Sequence, residues 1–173
     1  MNCVGYPEGW RIDLLSKTHN RKAFRSGQEA VDAWLKRSAL HSQKKHISST
    51  KMLLDDKDQV VGYYTLAASQ VDFSDLPSDV AKSLPQRKLP VAVVAWLGVD
   101  ERFQRQGIGR RLLATAPLDC YQASETFAFI AVILDCVDEA AKAFCERFDF
   151  SALPGDPMRL YLPFKLLQKI ARG

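Results

Sequence analysis

The segment that most restricts the fold is an unbroken apolar run, Val91 to Val99, which leads into a loop with two glycines and then into Arg110 to Tyr121, where Leu112, Leu113 and Ala116 recur at helical spacing. An apolar stretch without polar alternation suits a strand covered on both faces. A second such run, Phe127 to Leu134, follows the helical segment. Two fully covered strands around a helix demand a layered α/β chain.

The flanking segments extend this pattern. Ser26-Gly27-Gln28-Glu29 reads as a capping box, and Ala30, Val31, Trp34 and Leu35 place one helix face inward while Lys36 and Arg37 point outward. Lys51 to Leu54 and Val60 to Ala67 flank the Asp-rich turn Asp55-Asp56-Lys57-Asp58-Gln59, as in a β-hairpin. Leu76 to Pro90 reads as a short helix and loop, Asp138 to Phe148 as a helix with Ala140, Ala141, Phe144, Cys145 and Phe148 along one side, and Met158 to Pro163 as a final strand. No internal repeat is visible. The 173 residues suit a single domain, 1–173, and 47% hydrophobic with 25% charged residues is a globular balance. No apolar run approaches the ~20 residues that cross a bilayer, and Met1 to Arg11 lacks the layout of a secretory leader, so a cytoplasmic location is expected with no membrane partner. Cys3, Cys120, Cys136 and Cys145 are irregularly spaced, which argues against a disulfide framework and against zinc; no metal is expected.

The net charge of +4 is unevenly spread. Nine Lys/Arg face two acids between Lys17 and Lys51, and Arg102, Arg105, Arg110 and Arg111 have no acid between them; the remainder carries eleven bases against eighteen acids. Such segments are either solvated faces or contacts for a phosphate-rich partner. The three histidines, His19, His41 and His46, all fall in the first basic segment, where surface roles are expected. The loop from Asp100 to Gly109 favours phosphate. Gly107 and Gly109 allow close backbone approach, the following helix start turns amides toward an anion, and the arginines supply charge. It is neither a P-loop nor a GxGxxG turn.

Gln104-x-x-Gly107-x-Gly109 resembles the (Arg/Gln)-x-x-Gly-x-(Gly/Ala) acetyl-CoA signature of the GCN5-related N-acetyltransferases (GNAT). Ala141-Lys142-Ala143-Phe144-Cys145-Glu146-Arg147-Phe148-Asp149-Phe150 stands where that family has Ala-x-x-Phe-Tyr-x-x-x-Gly-Phe. Phe24-Arg25-Ser26-Gly27, Ala33-Trp34-Leu35, Val61 to Leu66, Leu97-Gly98-Val99-Asp100 and Pro157 to Pro163 resemble one branch, the acetyltransferase toxins of bacterial toxin–antitoxin pairs. The likeness runs from about Phe24 to Leu167.

The resemblance implies a mixed central sheet splayed into a V between two parallel strands, Val91 to Val99 and Phe127 to Leu134, with flanking helices. It implies acetyl-CoA as co-substrate, its pantetheine beside the backbone of Leu97 and Val99 and its diphosphate on Gln104, Arg105, Gln106, Gly107, Ile108, Gly109 and Arg110. It further implies an aminoacyl-tRNA α-amine as acceptor, a ribbon-helix-helix antitoxin as partner, and a homodimer. Alternative activities are a catalytically weak binding protein held by an antitoxin, or a small-amine acetyltransferase. The family's proton-donating Tyr corresponds to Cys145, and its Gly to Asp149. Three readings of Cys145 stand side by side: proton donor, inert packing residue with Tyr161 or solvent serving instead, or a change that weakens or abolishes turnover. A thiol is a weaker hydrogen-bond donor than a phenol, though its reference pKa of ~8.5 lies below that of Tyr at ~10. Tyr161, flanked by Leu160 and Leu162, reads first as core or groove lining. Trp96 replaces an Arg common in the branch.

Overall fold

The computed structural model describes residues 5–173. Cys3 and the start of the segment read for a leader lie outside them. Among the described residues, seven strands form one mixed sheet: β1 (Arg11–Leu14), β2 (Ser49–Leu54), β3 (Val60–Asp72), β4 (Lys88–Val99), β5 (Ala131–Asp135), β6 (Ser151–Leu153) and β7 (Asp156–Pro163), in the order β1-β2-β3-β4-β5-β7-β6. The helices are α1 (Glu29–Ala33), joined through a π-helical turn, Trp34–Ser38, to α2 (Ala39–Lys44), then α3 (Ser78–Ala81), α4 (Ile108–Ala123), α5 (Glu139–Glu146) and α6 (Phe164–Arg172). None of these is long and apolar enough to cross a membrane.

The chain forms two compact units, each assembled from separate stretches of sequence. The first contains residues up to Ala67 together with Ala95–Ala116. Its hairpin closes because Asp55, a buried acid, accepts hydrogen bonds from the amides of Lys57 (2.9 Å) and Gln59 (2.8 Å), while Asp58 adopts φ 60°. Asp tolerates that left-handed turn better than a branched residue would. Strand β2 then pairs antiparallel with β3 from Ser49↔Leu66 to Leu53↔Gly62, with an irregularity at Leu54. Leu15, Phe24, Val31, Leu35, Ala39, Met52, Leu54, Val60 and Tyr63 make its core, with Trp34, Leu40 and Trp96 packed against it. The Tyr63 hydroxyl donates to the Val31 carbonyl at 2.6 Å. Gly98 is demanded by this packing, since a Cβ there would lie 2.5 Å from Val31 Cγ1.

The second unit contains Ala68–Val94 and Pro117–Gly173. Here β4 and β5 run parallel, in register from Ala92↔Val132 to Val94↔Leu134, while β4 continues to Val99. Strand β5 pairs antiparallel with β7. Helix α5 is started by Asp138, whose carboxylate accepts from the Ala141 amide at 2.8 Å, a favoured helix opening.

Several expectations need correction. The capping box does not form. Gly27 at φ 91° turns the chain away, the helix opens at Glu29, and Asp32 replaces Glu29 as the reciprocal partner by accepting from Ser26 N (2.9 Å) and Ser26 Oγ (2.6 Å). Ala30 is exposed rather than inward. The fifth strand begins at Ala131, not Phe127: Phe127 N–H bonds the Ala123 carbonyl at 2.9 Å in a turn that prolongs α4, and its ring is 76% exposed. Strands β1 and β6 and helix α6 lie outside the segments that the sequence marks as strands and helices. Each is short, and its order comes from pairing or docking on neighbours rather than from its own pattern.

Candidate active site

The glycine loop belongs wholly to the first unit. Strand β4 ends at Val99, Asp100 follows, a short 3-10 turn spans Glu101–Phe103, and α4 opens at Ile108. Asp100 is the keystone. Its buried carboxylate accepts from the amides of Arg102 (2.9 Å) and Arg25 (3.1 Å) and pairs with Arg102 Nε at 2.8 Å. Burial pushes this carboxyl up, but hydrogen bonds from the Arg102 side chain and amide and from the Arg25 amide outweigh it and hold Asp100 below the usual range. Arg102, itself exposed, is therefore held against Asp100 at the surface, with Gln59 as a further acceptor at 3.1 Å. Gln104 plays a similar role: its amide group donates to the carbonyls of Ser26 (2.7 Å) and Val99 (2.8 Å), fastening the loop to β4 and to the segment before α1.

Beyond Gln104 the backbone makes a nest-like reversal. Arg105 has φ 62° and Gly107 φ 76°, and no atom lies within 4 Å of a Cβ placed on Gly107. Ile108 is buried and anchors the helix start, while Arg105, Gln106, Gly107 and Arg110 are exposed and Gly109 is half-buried in the first turn. The opening amides of a helix have no carbonyl within it to bond. This turn therefore faces solvent with donors, two flanking guanidiniums and open space, which fits a diphosphate. On β4, Leu97 is half-buried and Val99 buried.

The same unit holds a cleft of about 370 Å³ lined by Arg25, Glu29, Asp32, Lys36, Arg37 and Glu101 among others. Nearby in sequence, Trp34 and Trp96 stack with centroids 5.3 Å apart and planes 11° apart, and Trp34 Nε1 donates to Thr65 Oγ1 at 3.0 Å. The branch's Arg is thus replaced by one half of an aromatic pair. Lys17 and Arg21 stand close enough to the exposed Lys44 that repulsion from Lys17 pulls the Lys44 ammonium below its ordinary pKa. Cations crowded this way match a site for polyanionic backbone. His19 is not a surface residue as expected: its side chain is 9% exposed, and Nδ1 accepts from the Ser16 amide at 3.0 Å to close a turn.

Cys145 and Tyr161 both lie in the second unit. Cys145 sits buried on α5. Tyr161 is buried on β7, opposite Ile133 in register, and burial, then the charge of Asp79, raises its phenol. Cys136, which directly follows β5, is a residue overlooked in the sequence whose charge bears on Cys145. Burial, then repulsion from the Cys136 charge, push the Cys145 thiol up to about 12. Burial also raises Cys136. Cys145 accordingly holds its proton at neutral pH. Asp149, at the family's Gly position, adopts φ 71°, the same left-handed backbone that the glycine would supply.

A mixed sheet carrying an open, glycine-bearing strand-loop-helix is the frame expected of an acyl-CoA-type transferase. Residues 48–152 match the acetyltransferase (GNAT) domain family, and the chain belongs to that family of acetyl-CoA-dependent N-acetyltransferases. It is 32% identical over 151 residues to the tRNA-acetylating toxin of Mycobacterium tuberculosis (strain ATCC 25618 / H37Rv), covering 87% of this chain and 90% of that protein. Among solved structures, a tyrosine-to-phenylalanine mutant of KacT superimposes with TM-score 0.87 at 25% identity, covering 94% of this chain and 99% of that one. The fold is also that of AtaT complexed with acetyl-methionyl-tRNAfMet, with TM-score 0.86, 24% identity and coverage of 93% and 98%. AtaT is further known bound to the C-terminus of the antitoxin AtaR.

Proposed function

We propose that this chain acetylates the α-amine of aminoacyl-tRNA, acting as a translation-blocking toxin, and that residues 1–173 work as one acetyltransferase domain. The observation that carries this reading is the open amide turn at Gly107, built into a chain 32% identical to a tRNA-acetylating toxin. The cleft lined by Arg25, Lys36 and Arg37 on one side of its charge balance and Glu29 and Glu101 on the other supports it. An acceptor bearing both an ammonium and phosphates suits a cleft of both signs, whereas a polyamine has no use for the cations.

In this reading the amides of Arg105, Gln106, Gly107, Ile108 and Gly109 hold the diphosphate of acetyl-CoA, with Arg105 and Arg110 adding charge and Gln104 positioning the loop. Acetyl-CoA supplies an activated thioester. The backbone N–H groups at Leu97 and Val99 orient it and stabilise the oxygen as charge develops. The acceptor amine loses its proton to solvent and attacks. Moving the Cys145 proton fully to a thiolate of ordinary basicity, with Cys145 near 12 and a reference of ~8.5, is uphill by about 5 kcal/mol. Cys145 therefore keeps its proton, and water protonates the leaving thiolate. Tyr161 lines the core. The protein is cytoplasmic and homodimeric and is held by a ribbon-helix-helix antitoxin.

Labelled acetyl-CoA with charged and deacylated tRNA tests the assignment: transfer to charged tRNA alone is expected, and transfer to polyamines but not to tRNA overturns it. A slow, binding-dominated member is the second reading, favoured by the buried Cys145, which keeps its proton. If Cys145→Tyr speeds single-turnover transfer by orders of magnitude without altering acetyl-CoA affinity, that reading holds.

A further inference from the structure

We propose that the stacked pair Trp34–Trp96 is a platform for the unpaired nucleobase that ends the tRNA 3′ strand; the inference rests on the aminoacyl-tRNA reading above. The rings lie 5.3 Å apart and 11° from parallel, and each is partly exposed, so part of the stack faces solvent. The fold fixes their place. Trp96 precedes Leu97 on β4 and shares a face of the sheet with Gly98, and α1 covers that face, with Val31 over Gly98. Trp34 opens the π-helical turn after α1, where the Ala39 amide donates to its carbonyl; insertions of this kind recur at functional sites. Trp34 Nε1 donates to Thr65 Oγ1 at 3.0 Å, Thr65 Oγ1 lies 2.7 Å from the buried Thr50 Oγ1, and the Thr50 amide donates to Gln43 Oε1 at 2.9 Å. A ring held by such a chain has little freedom left to lose when a ligand stacks on it.

The occupant follows from what surrounds the pair. Lys36 and Arg37 stand two and three residues beyond Trp34 and line the cleft of mixed charge. Aromatic faces beside cations are how proteins take single-stranded nucleic acid: the base stacks and the phosphates meet the charges. Every mature tRNA ends in the same unpaired base, so one platform serves whatever aminoacyl group is attached. The main chain of Leu97 and Val99, to which the reading above gives the thioester, follows Trp96 at about 3.3 Å per residue. A base seated on Trp96 therefore brings the aminoacyl ester of the same nucleotide within reach of the thioester.

The test uses the full chain and two deacylated RNA minihelices, one ending in CCA and one ending in CC. Expected is tighter binding of the CCA form by about 5- to 150-fold, lost in Trp96→Ala and partly regained in Trp96→Phe, with the CC form bound equally by all three proteins. A merely structural role weakens both RNAs alike, and an equal loss overturns the proposal. Fluorescence keeps the test decisive where Trp96→Ala does not fold. The chain has three tryptophans, so Trp10→Phe leaves the pair as the sole indole emitters, and quenching by the CCA form but not by the CC form is expected; equal quenching, or none, overturns the proposal. If both RNAs bind alike and only an aminoacylated minihelix gains affinity, the pair reads the amino-acid side chain and the proposal falls. Failure to acetylate charged tRNA removes the acceptor reading instead, while the difference between the CCA and CC forms stands.

Discussion

Gly107→Ala separates the loop's structural task from its chemical one. The added methyl meets no protein atom within 4 Å, so the folded chain gives it room. The backbone penalty remains, because φ is 76° and an L-residue held there loses about 1–2 kcal/mol relative to glycine. For a chain of this length that corresponds to a melting temperature lowered by roughly 2–8 °C. The space the methyl enters is the space assigned to the diphosphate. Displacing the anion from one amide forfeits a charge-assisted hydrogen bond of about 1.5–3 kcal/mol, or about a 10- to 150-fold weaker acetyl-CoA dissociation constant. Titration calorimetry with acetyl-CoA and a thermal melt of the same sample read both effects. Gly155→Ala is the control, since its Cβ position is equally open but lies in the β6–β7 turn; it leaves affinity unchanged. If Gly107→Ala lowers the melting temperature as calculated yet binds acetyl-CoA within about twofold of the parent, the amides of this turn do not hold the diphosphate.

Two further perturbations probe the frame around the site. Asp149→Gly relieves the positive φ of a non-glycine residue and raises stability by up to about 1 kcal/mol, measured by denaturant midpoint; a loss of stability would mean the Asp149 side chain makes contacts that outweigh the strain. The Asp100 carboxyl lies lower in the folded than in the unfolded chain, so its contribution is complete above the unfolded value of ~3.9 and disappears as pH falls through the folded value. Asp100→Asn destabilises by about 1–3 kcal/mol at pH 7, and the gap to the parent closes below about pH 4; a gap constant down to pH 3 would refute the ion-pair account.

The strands and helices that the sequence made legible were those whose pattern is self-sufficient. Val91 to Val99 is apolar wherever it is placed, and Asp138 caps α5 with an atom three residues from its donor, the Ala141 amide. The hairpin was readable for the same reason, because Asp55 bonds amides within its own turn. The capping box misled since Ser26 had two acids within reach, Glu29 and Asp32, and only the turn at Gly27 chooses between them. Phe127 continues the apolar run of β5 in sequence although it lies outside the strand, because an apolar side chain carries no mark of exposure.

By itself, the amino-acid order settled the α/β layering, the family and the place of the glycine turn, because glycine spacing and apolar runs act through local backbone geometry. Tertiary structure decided what the charges and thiols do. Arg102 folded back onto the buried Asp100, Gln104 became a strut, Trp96 found Trp34, and Cys145 was buried. Electrostatics and thiol chemistry depend on distance and burial, and neither is written in the order of residues until the chain has folded.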